Sequence, residues 1–233
     1  MAHPLWMAAA VTVAFAALAR FVRGVTGSGA IAGGLVCFAL YAFAGPAAFA
    51  ALVSVFVLTW GATRLGYSSK SRLGVAERRD GRKASQVVAN LAVAALCAVL
   101  YAVTQRVAFL MGIAAALSEA AADTVSSEIG QARGHAAHLI TTWQQVPAGT
   151  DGGISLAGTA AGVIAAILVG SVCAVTHFLP WNYSLVGAAA GVAGMLADSY
   201  LGALFERRQK LRNDVVNLLS TAVAAGIAII LAS

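Results

Sequence analysis

The residues that could do chemistry are carboxylates and amides set in otherwise apolar sequence. In the run Ser118-Glu119-Ala120-Ala121-Ala122-Asp123-Thr124-Val125-Ser126-Ser127-Glu128-Ile129-Gly130, Glu119, Asp123, Ser126 and Ser127 follow i, i+4, i+7, i+8 spacing and share one helix face. Asp198-Ser199 lies near the end of a later apolar run. Asn213-Asp214 opens the last run, with Asn217 one turn on, and Gln86 and Asn90 are a turn apart at the start of another. Ionisable groups inside a membrane are costly and point to function by default. Glycine-rich segments accompany them: Pro147-Ala148-Gly149-Thr150-Asp151-Gly152-Gly153-Ile154-Ser155 and Thr26-Gly27-Ser28-Gly29 each precede an apolar run. Glycines let backbone N–H groups converge, and a helix N-terminus favours anions. Neither segment is a Walker A loop, which ends in Gly-Lys-Ser/Thr. Arg78, Arg79, Arg82 and Lys83 supply positive charge nearby. Carboxylates hold a metal, while helix starts and arginines hold phosphate oxygens, so the set resembles a magnesium–phosphate site. The histidines do not join it. His135 and His138 are three apart in a loop, and His3 and His177 fall at the opposite end of the helices.

Such residues act together only if helices bring them to one depth. The 233 residues are 60% hydrophobic and 10% charged, against roughly 45–50% and 25% in soluble domains. Mean hydropathy is +0.84. This excludes a disordered chain, a nucleic-acid-binding domain and an ordinary soluble enzyme, and predicts an all-α, polytopic membrane bundle. A spanning helix takes about 20 apolar residues. Eight runs of about that length occur, at 4–19, 29–45, 46–63, 85–104, 107–128, 154–178, 183–205 and 213–232, making residues 1–233 one transmembrane domain. Pro46, after Gly45, is placed to start the third. No Lys or Arg precedes the first run, so it reads as a retained span rather than a signal peptide.

Fourteen of the fifteen basic residues cluster at one set of helix ends: Arg20 and Arg23, the 64–83 loop, Arg133, and 207–212; Arg106 is the exception. The positive-inside rule makes that side cytoplasmic and puts both termini outside. Trp6, Tyr41, Trp181 and Tyr183 then fall near the outer interface. The net charge of +6 reports topology and anionic lipid rather than nucleic acid. At the helical rise, Asp123 lies about 8 Å and Asp198 about 10 Å from the inner ends of their spans. The polar residues therefore gather in the cytoplasmic third, a one-sidedness that interhelical hydrogen bonding alone leaves unexplained. Gly158 and Gly162, like Gly187 and Gly191, are spaced for close helix packing. Cys37, Cys97 and Cys173 lie within apolar runs and read as small buried hydrophobes.

Five strings resemble, in this order, a family of integral membrane proteins long catalogued as a domain of unknown function, number ninety-two. They are Thr26-Gly27-Ser28-Gly29-Ala30, the stretch Ala122 to Gly130, the stretch Pro147 to Ser155, Asp198-Ser199-Tyr200-Leu201-Gly202-Ala203, and Asn213-Asp214-Val215-Val216-Asn217. The resemblance covers nearly the whole chain. The family includes plant phytyl-phosphate kinase, which makes a prenyl diphosphate from a prenyl monophosphate and a nucleoside triphosphate. The fifth-span string followed by a Gly-rich segment is also similar to CTP-using dolichol and phytol kinases.

Together these readings predict a Mg²⁺-dependent prenyl-phosphate kinase facing the cytoplasm of a bacterial or archaeal membrane, with CTP or ATP as co-substrate. Asp123 and Glu128 are expected to bind Mg²⁺. Asp198, Asp214 and Asn217 are expected to hold a second metal or orient phosphate. Gly149, Thr150, Gly152, Gly153 and Ser155 are expected to cradle nucleotide phosphates, and Ser28, Arg82, Asn90, Ser127 and Asn213 to complete substrate binding. Partners are the bilayer, prenyl phosphate and a nucleoside triphosphate, with homo-oligomers possible. A lipid-alcohol kinase or cytidylyltransferase could use the same site, with Asp198 as base for an alcohol. A lipid transporter is the third alternative; against it stand the lack of a clear internal repeat and the off-centre depth of the polar groups.

Overall fold

The computed structural model describes residues 4–133 and 137–232. His3 and His135 lie outside them. Nine helices occur among the described residues: α1 Leu5–Phe21, α2 Gly27–Ala39, α3 Pro46–Arg64, the short α4 Tyr67–Arg72, α5 Ala84–Thr104, α6 Val107–Ala132, α7 Leu156–Val175, α8 Trp181–Leu201 and α9 Asn213–Leu231. α2 continues as a π-helical turn over Leu40–Ala44, and α8 as another over Gly202–Glu206. Seven of these segments are long and apolar enough to cross a membrane. α1 is a shorter apolar helix of 17 residues, about 25 Å at the helical rise. The eight apolar runs of the sequence thus appear as eight helices. Gly45, at φ 90°, breaks the chain before Pro46, which occupies the first turn of α3.

α6 is the central helix. Of its membrane window 78% is buried, against 33–44% in the other spans. It packs against α3, α5, α7, α8 and α9. Its alanines, Ala114–Ala116 and Ala120–Ala122, present little side chain, and glycines on its neighbours meet it at backbone distance. A Cβ on Gly191 would stand 2.6 Å from Ser118 Cβ and 2.8 Å from Glu119 N. On Gly158 it would stand 2.6 Å from the Ser126 carbonyl oxygen. The glycine pairs seen in sequence are therefore the contact surfaces of α7 and α8 on α6. The three cysteines are free and buried. Trp6 and Trp181 face outward, but Tyr41 is turned into the core, its ring centroid 5.9 Å from that of Phe49.

Between α6 and α7 a small antiparallel sheet forms, with strand order β2-β1-β3: β1 Ala137–Leu139, β2 Gln145–Val146 and β3 Gly153–Ile154. Leu139 and Ile140 pack on Ala203 of the π-turn, so the sheet is anchored on the end of α8. The segments 22–26, 64–83, 137–155 and 202–213 meet at one end of the bundle. Thr26 N donates to the Arg82 carbonyl (3.0 Å) and Arg82 N to the Gly24 carbonyl (3.1 Å). Gly81, at φ 91°, permits this, since a Cβ there would lie 2.5 Å from Val25 N.

Candidate functional site

At that end lies a polar cavity of about 260 Å³. α6 contributes Asp123, Thr124, Ser126, Ser127 and Glu128; the sheet segment contributes Gly149, Thr150, Asp151, Gly152 and Gly153; Ser155 stands at the start of α7. α8 and its π-turn add Asp198 and Glu206, α9 adds Asn213 and Asn217, and Arg82, Gln86 and Asn90 close the side formed by α5. Of the residues expected to bind metal, nucleotide or substrate, Ser28 and Asp214 are absent from the lining, and Glu119, Arg78, Arg79 and Lys83, which the sequence placed near them, also lie outside it. Ser28 is exposed beside Thr26, hydroxyl to hydroxyl at 3.1 Å. Asp214 sits in the first turn of α9, where an acidic side chain complements the helix dipole.

The brought-together residues differ in freedom. Asp123 faces the cavity and makes no hydrogen bond or ion pair among the described residues. Glu128 is different: its Oε1 accepts from Thr63 Oγ1 at 2.9 Å and its Oε2 is ion-paired with Lys70, so both oxygens are engaged. Lys70 is fully buried and also donates to the carbonyls of Ala62 (3.1 Å) and Thr63 (2.8 Å). These belong to the last turn of α3, whose carbonyls lack their i+4 helical partners. Lys70 thus caps α3 and ties it to α6.

A second network crosses four helices. Ser220 Oγ donates within reach of Glu119 Oε1 (2.7 Å) and Asp198 Oδ2 (3.1 Å). The Asn217 amide satisfies its neighbours when its nitrogen faces Asp198 Oδ2 (3.3 Å) and its oxygen accepts from Asn90 Nδ2 (3.1 Å). Asn90 in turn donates to the Gln86 carbonyl at 2.8 Å. Both amides are buried, and their geometry is that of positioning groups that hold Asp198. Glu119, 1% exposed, leaves Oε2 without a hydrogen-bond partner.

The glycine-rich loop has local reasons for its composition. Gly149 (φ 86°) backs onto Val75, where a Cβ would meet Cγ1 at 2.6 Å, and Gly152 (φ 74°) onto Ala203, at 2.5 Å from its N. Ser155 Oγ accepts from Gly158 N (3.1 Å), the ordinary N-cap bond. Thr26 caps α2 in the same way through Gly29 N (3.2 Å). Outside the spans, partial burial pushes the Asp151 carboxyl above its usual range, with Arg207 opposing. Among the described residues, Arg82 is the one basic residue in the cavity wall, and its guanidinium donates to Thr124 Oγ1 at 3.3 Å. The excess of carboxylates attracts cations. No three carboxylate, histidine or cysteine side chains form a ready-made metal cage among the described residues.

A second cavity, of about 310 Å³ and mostly apolar, lies between α1, α2, α3 and α5. Phe15, Leu52, Val55, Phe56, Val87 and Leu91 line its depth, and Arg23, Arg64, Arg78, Arg79 and Arg82 ring its mouth. The two cavities share Glu77, Arg82, Gln86 and Asn90 as a common wall.

The family described as integral membrane protein DUF92 matches residues 10–225. The chain belongs to this family. Protein VTE6, chloroplastic, of Arabidopsis thaliana is 34% identical over 220 residues, covering 90% of this chain and 66% of that protein. This DUF92 protein is also 34% identical over 232 residues to an uncharacterized membrane protein of Methanocaldococcus jannaschii, covering 97% and 94% of the two chains. An uncharacterized membrane protein of Synechocystis is 31% identical over 195 residues, 82% of this chain and 76% of its own. No solved structure matches significantly.

Three features of this DUF92 protein were missed in the sequence. Lys70 looked like one more inner-face cation. Ser220 sits in an apolar run with nothing to mark it. The apolar cleft is built mainly from residues on α1, α2, α3 and α5, which are distant in the chain. The one usable signal was Glu119, already on the Asp123 face and without a local cation.

Proposed function

We propose that this protein is a prenyl-phosphate kinase, with residues 1–233 acting as one transmembrane domain. An oxygen of a prenyl monophosphate attacks the terminal phosphorus of a nucleoside triphosphate, CTP or ATP. The bond to the bridging oxygen breaks, and prenyl diphosphate and a nucleoside diphosphate leave. The observation that carries this reading is the junction of two unlike cavities at Arg82: an apolar cleft with a ring of arginines at its mouth, and a polar, acidic chamber beside it. An amphiphile with an apolar tail and a phosphate head suits the first. A nucleotide phosphate chain with its cation suits the second.

Asp123 and Asp198 are the side chains fit to hold Mg²⁺, because Mg²⁺ is commonly bound by one or two carboxylates, with water and substrate phosphate completing its shell. When bound, Mg²⁺ neutralises charge on the transferred group. Glu128, engaged by Lys70 and Thr63, is assigned to holding α6 in register instead. Asn90, Asn217 and Ser220 fix Asp198. Arg82 bridges both cavities and orients the acceptor phosphate. A phosphate monoester has its second pKa near 6, so the acceptor is largely ionised at neutral pH and a strong base is unnecessary. The basic-residue distribution supports a cytoplasmic orientation for this end, where nucleotides are abundant.

The test is incubation of purified protein with Mg²⁺, each nucleoside triphosphate, and a panel of prenyl alcohols and prenyl phosphates, read by mass spectrometry. Prenyl diphosphate from the monophosphate is expected. Product from the alcohol at comparable rate, or a nucleotide-linked lipid with pyrophosphate, overturns the monophosphate kinase in favour of the related enzymes. No triphosphate consumption with any acceptor overturns the enzyme reading.

A further inference from the structure

We propose that Phe15 and Gly33 set the length of the isoprenoid tail this protein accepts; the inference rests on the kinase reading above. Along α3 the cleft lining extends from Arg64 at the mouth to Leu52, and along α1 from Arg23 to Phe15. At the helical rise these paths are about 18 Å and about 12 Å. An extended isoprene unit adds four chain bonds, about 5 Å on standard covalent geometry, so the cleft takes roughly two to four units.

Its floor is aromatic. Phe15 stands edge-on to Phe56 and to Phe49, both at 5.4 Å between centroids, and Phe49 in turn contacts Tyr41 at 5.9 Å. Phe15 lines the cleft, and Phe49, against which its ring packs, does not. Removing the Phe15 ring therefore extends the cleft toward the far end of the bundle. Gly33 forms part of the wall, and a Cβ placed on it would meet only Val87 Cγ1, at 3.9 Å. A larger side chain at position 33 enters open cleft rather than packed core. One position lengthens the cleft when made smaller; the other shortens it when made larger.

The experiment measures kcat/KM for geranyl, farnesyl, geranylgeranyl and longer prenyl phosphates with the parent protein, Phe15→Ala and Gly33→Leu, alongside thermal midpoints. The parent is expected to lose rate beyond geranylgeranyl. Phe15→Ala should raise use of the next longer tail relative to geranylgeranyl by about tenfold, the equivalent of roughly two newly buried methylenes. Gly33→Leu should lower geranylgeranyl relative to geranyl by about tenfold on the same basis. Gly33→Leu carries the test if Phe15→Ala does not fold. A folded variant that changes all lengths by the same factor, or a parent indifferent to length, overturns the inference while leaving the kinase reading intact. A parent that makes no diphosphate from any tail overturns both.

Discussion

Replacing Lys70 by Met leaves the Glu128 carboxylate buried without its cation and removes the cap from α3. In the parent, the Lys70 ammonium meets Glu128 and the carbonyls of Ala62 and Thr63, with no solvent exposure. Glu128 is 8% exposed and keeps only the Thr63 hydroxyl in the variant. Breaking one side of a buried ion pair costs about 3–5 kcal/mol. Glu128→Gln strands the ammonium instead, and belongs in the same range. The double variant Lys70→Met with Glu128→Leu replaces both charges by apolar groups and recovers most of that loss, since apolar replacement of a whole buried pair is often neutral. The assay is unfolding of the purified protein in detergent micelles, by denaturant titration and by thermal midpoint, across the full mutant cycle. Strict additivity of the single variants, or a Lys70→Met protein as stable as the parent, refutes the reasoning. The cycle also separates two roles for Glu128. As a structural partner, Glu128→Gln should leave the Mg²⁺ concentration dependence of turnover unchanged in whatever folded protein remains. A marked rise in the Mg²⁺ requirement would return Glu128 to the metal shell.

Asp123→Asn preserves shape but removes the unpaired charge facing the polar cavity. Turnover should fall by about two to three orders of magnitude, as for loss of one preorganised electrostatic partner, with expression and thermal midpoint near those of the parent; near-full activity would make Asp123 structural. A Cys introduced at Arg72 should resist impermeant thiol reagents applied to intact cells, and labelling from outside would reverse the orientation. Gly191→Val forces side-chain volume into a contact where even a Cβ lies 2.6 Å from Ser118 Cβ. It should cost about 1–3 kcal/mol or more, and an unchanged unfolding curve would refute the proposed α6–α8 packing.

The all-helical membrane class and the helix boundaries were legible in the chain because both are local. Span length is set by bilayer thickness, and helix starts carry their own markers, such as Pro46 after Gly45 and the Thr26 and Ser155 caps. The Asp123 face was legible for the same reason: side chains four residues apart share a helix face whatever surrounds them. Partnership was not local. Lys70 and Glu128 are 58 residues apart, and Glu119 and Ser220 are 101 apart. Nothing in either segment says which helices will lie side by side. In sequence Lys70 is therefore one more basic residue of the inner 64–83 loop and Glu128 an expected metal ligand; packing commits each to the other. The glycine-rich loop shows the same division. Its composition announced unusual backbone, but only the fold reveals that Gly149 and Gly152 are held against Val75 and Ala203. The class, the spans and the stock of ionisable groups at one end of them follow from the chain alone. Which of those groups are neutralised by a neighbour and which face open volume emerges only on packing, because pairing and cavity shape depend on side chains brought together from helices distant in the chain.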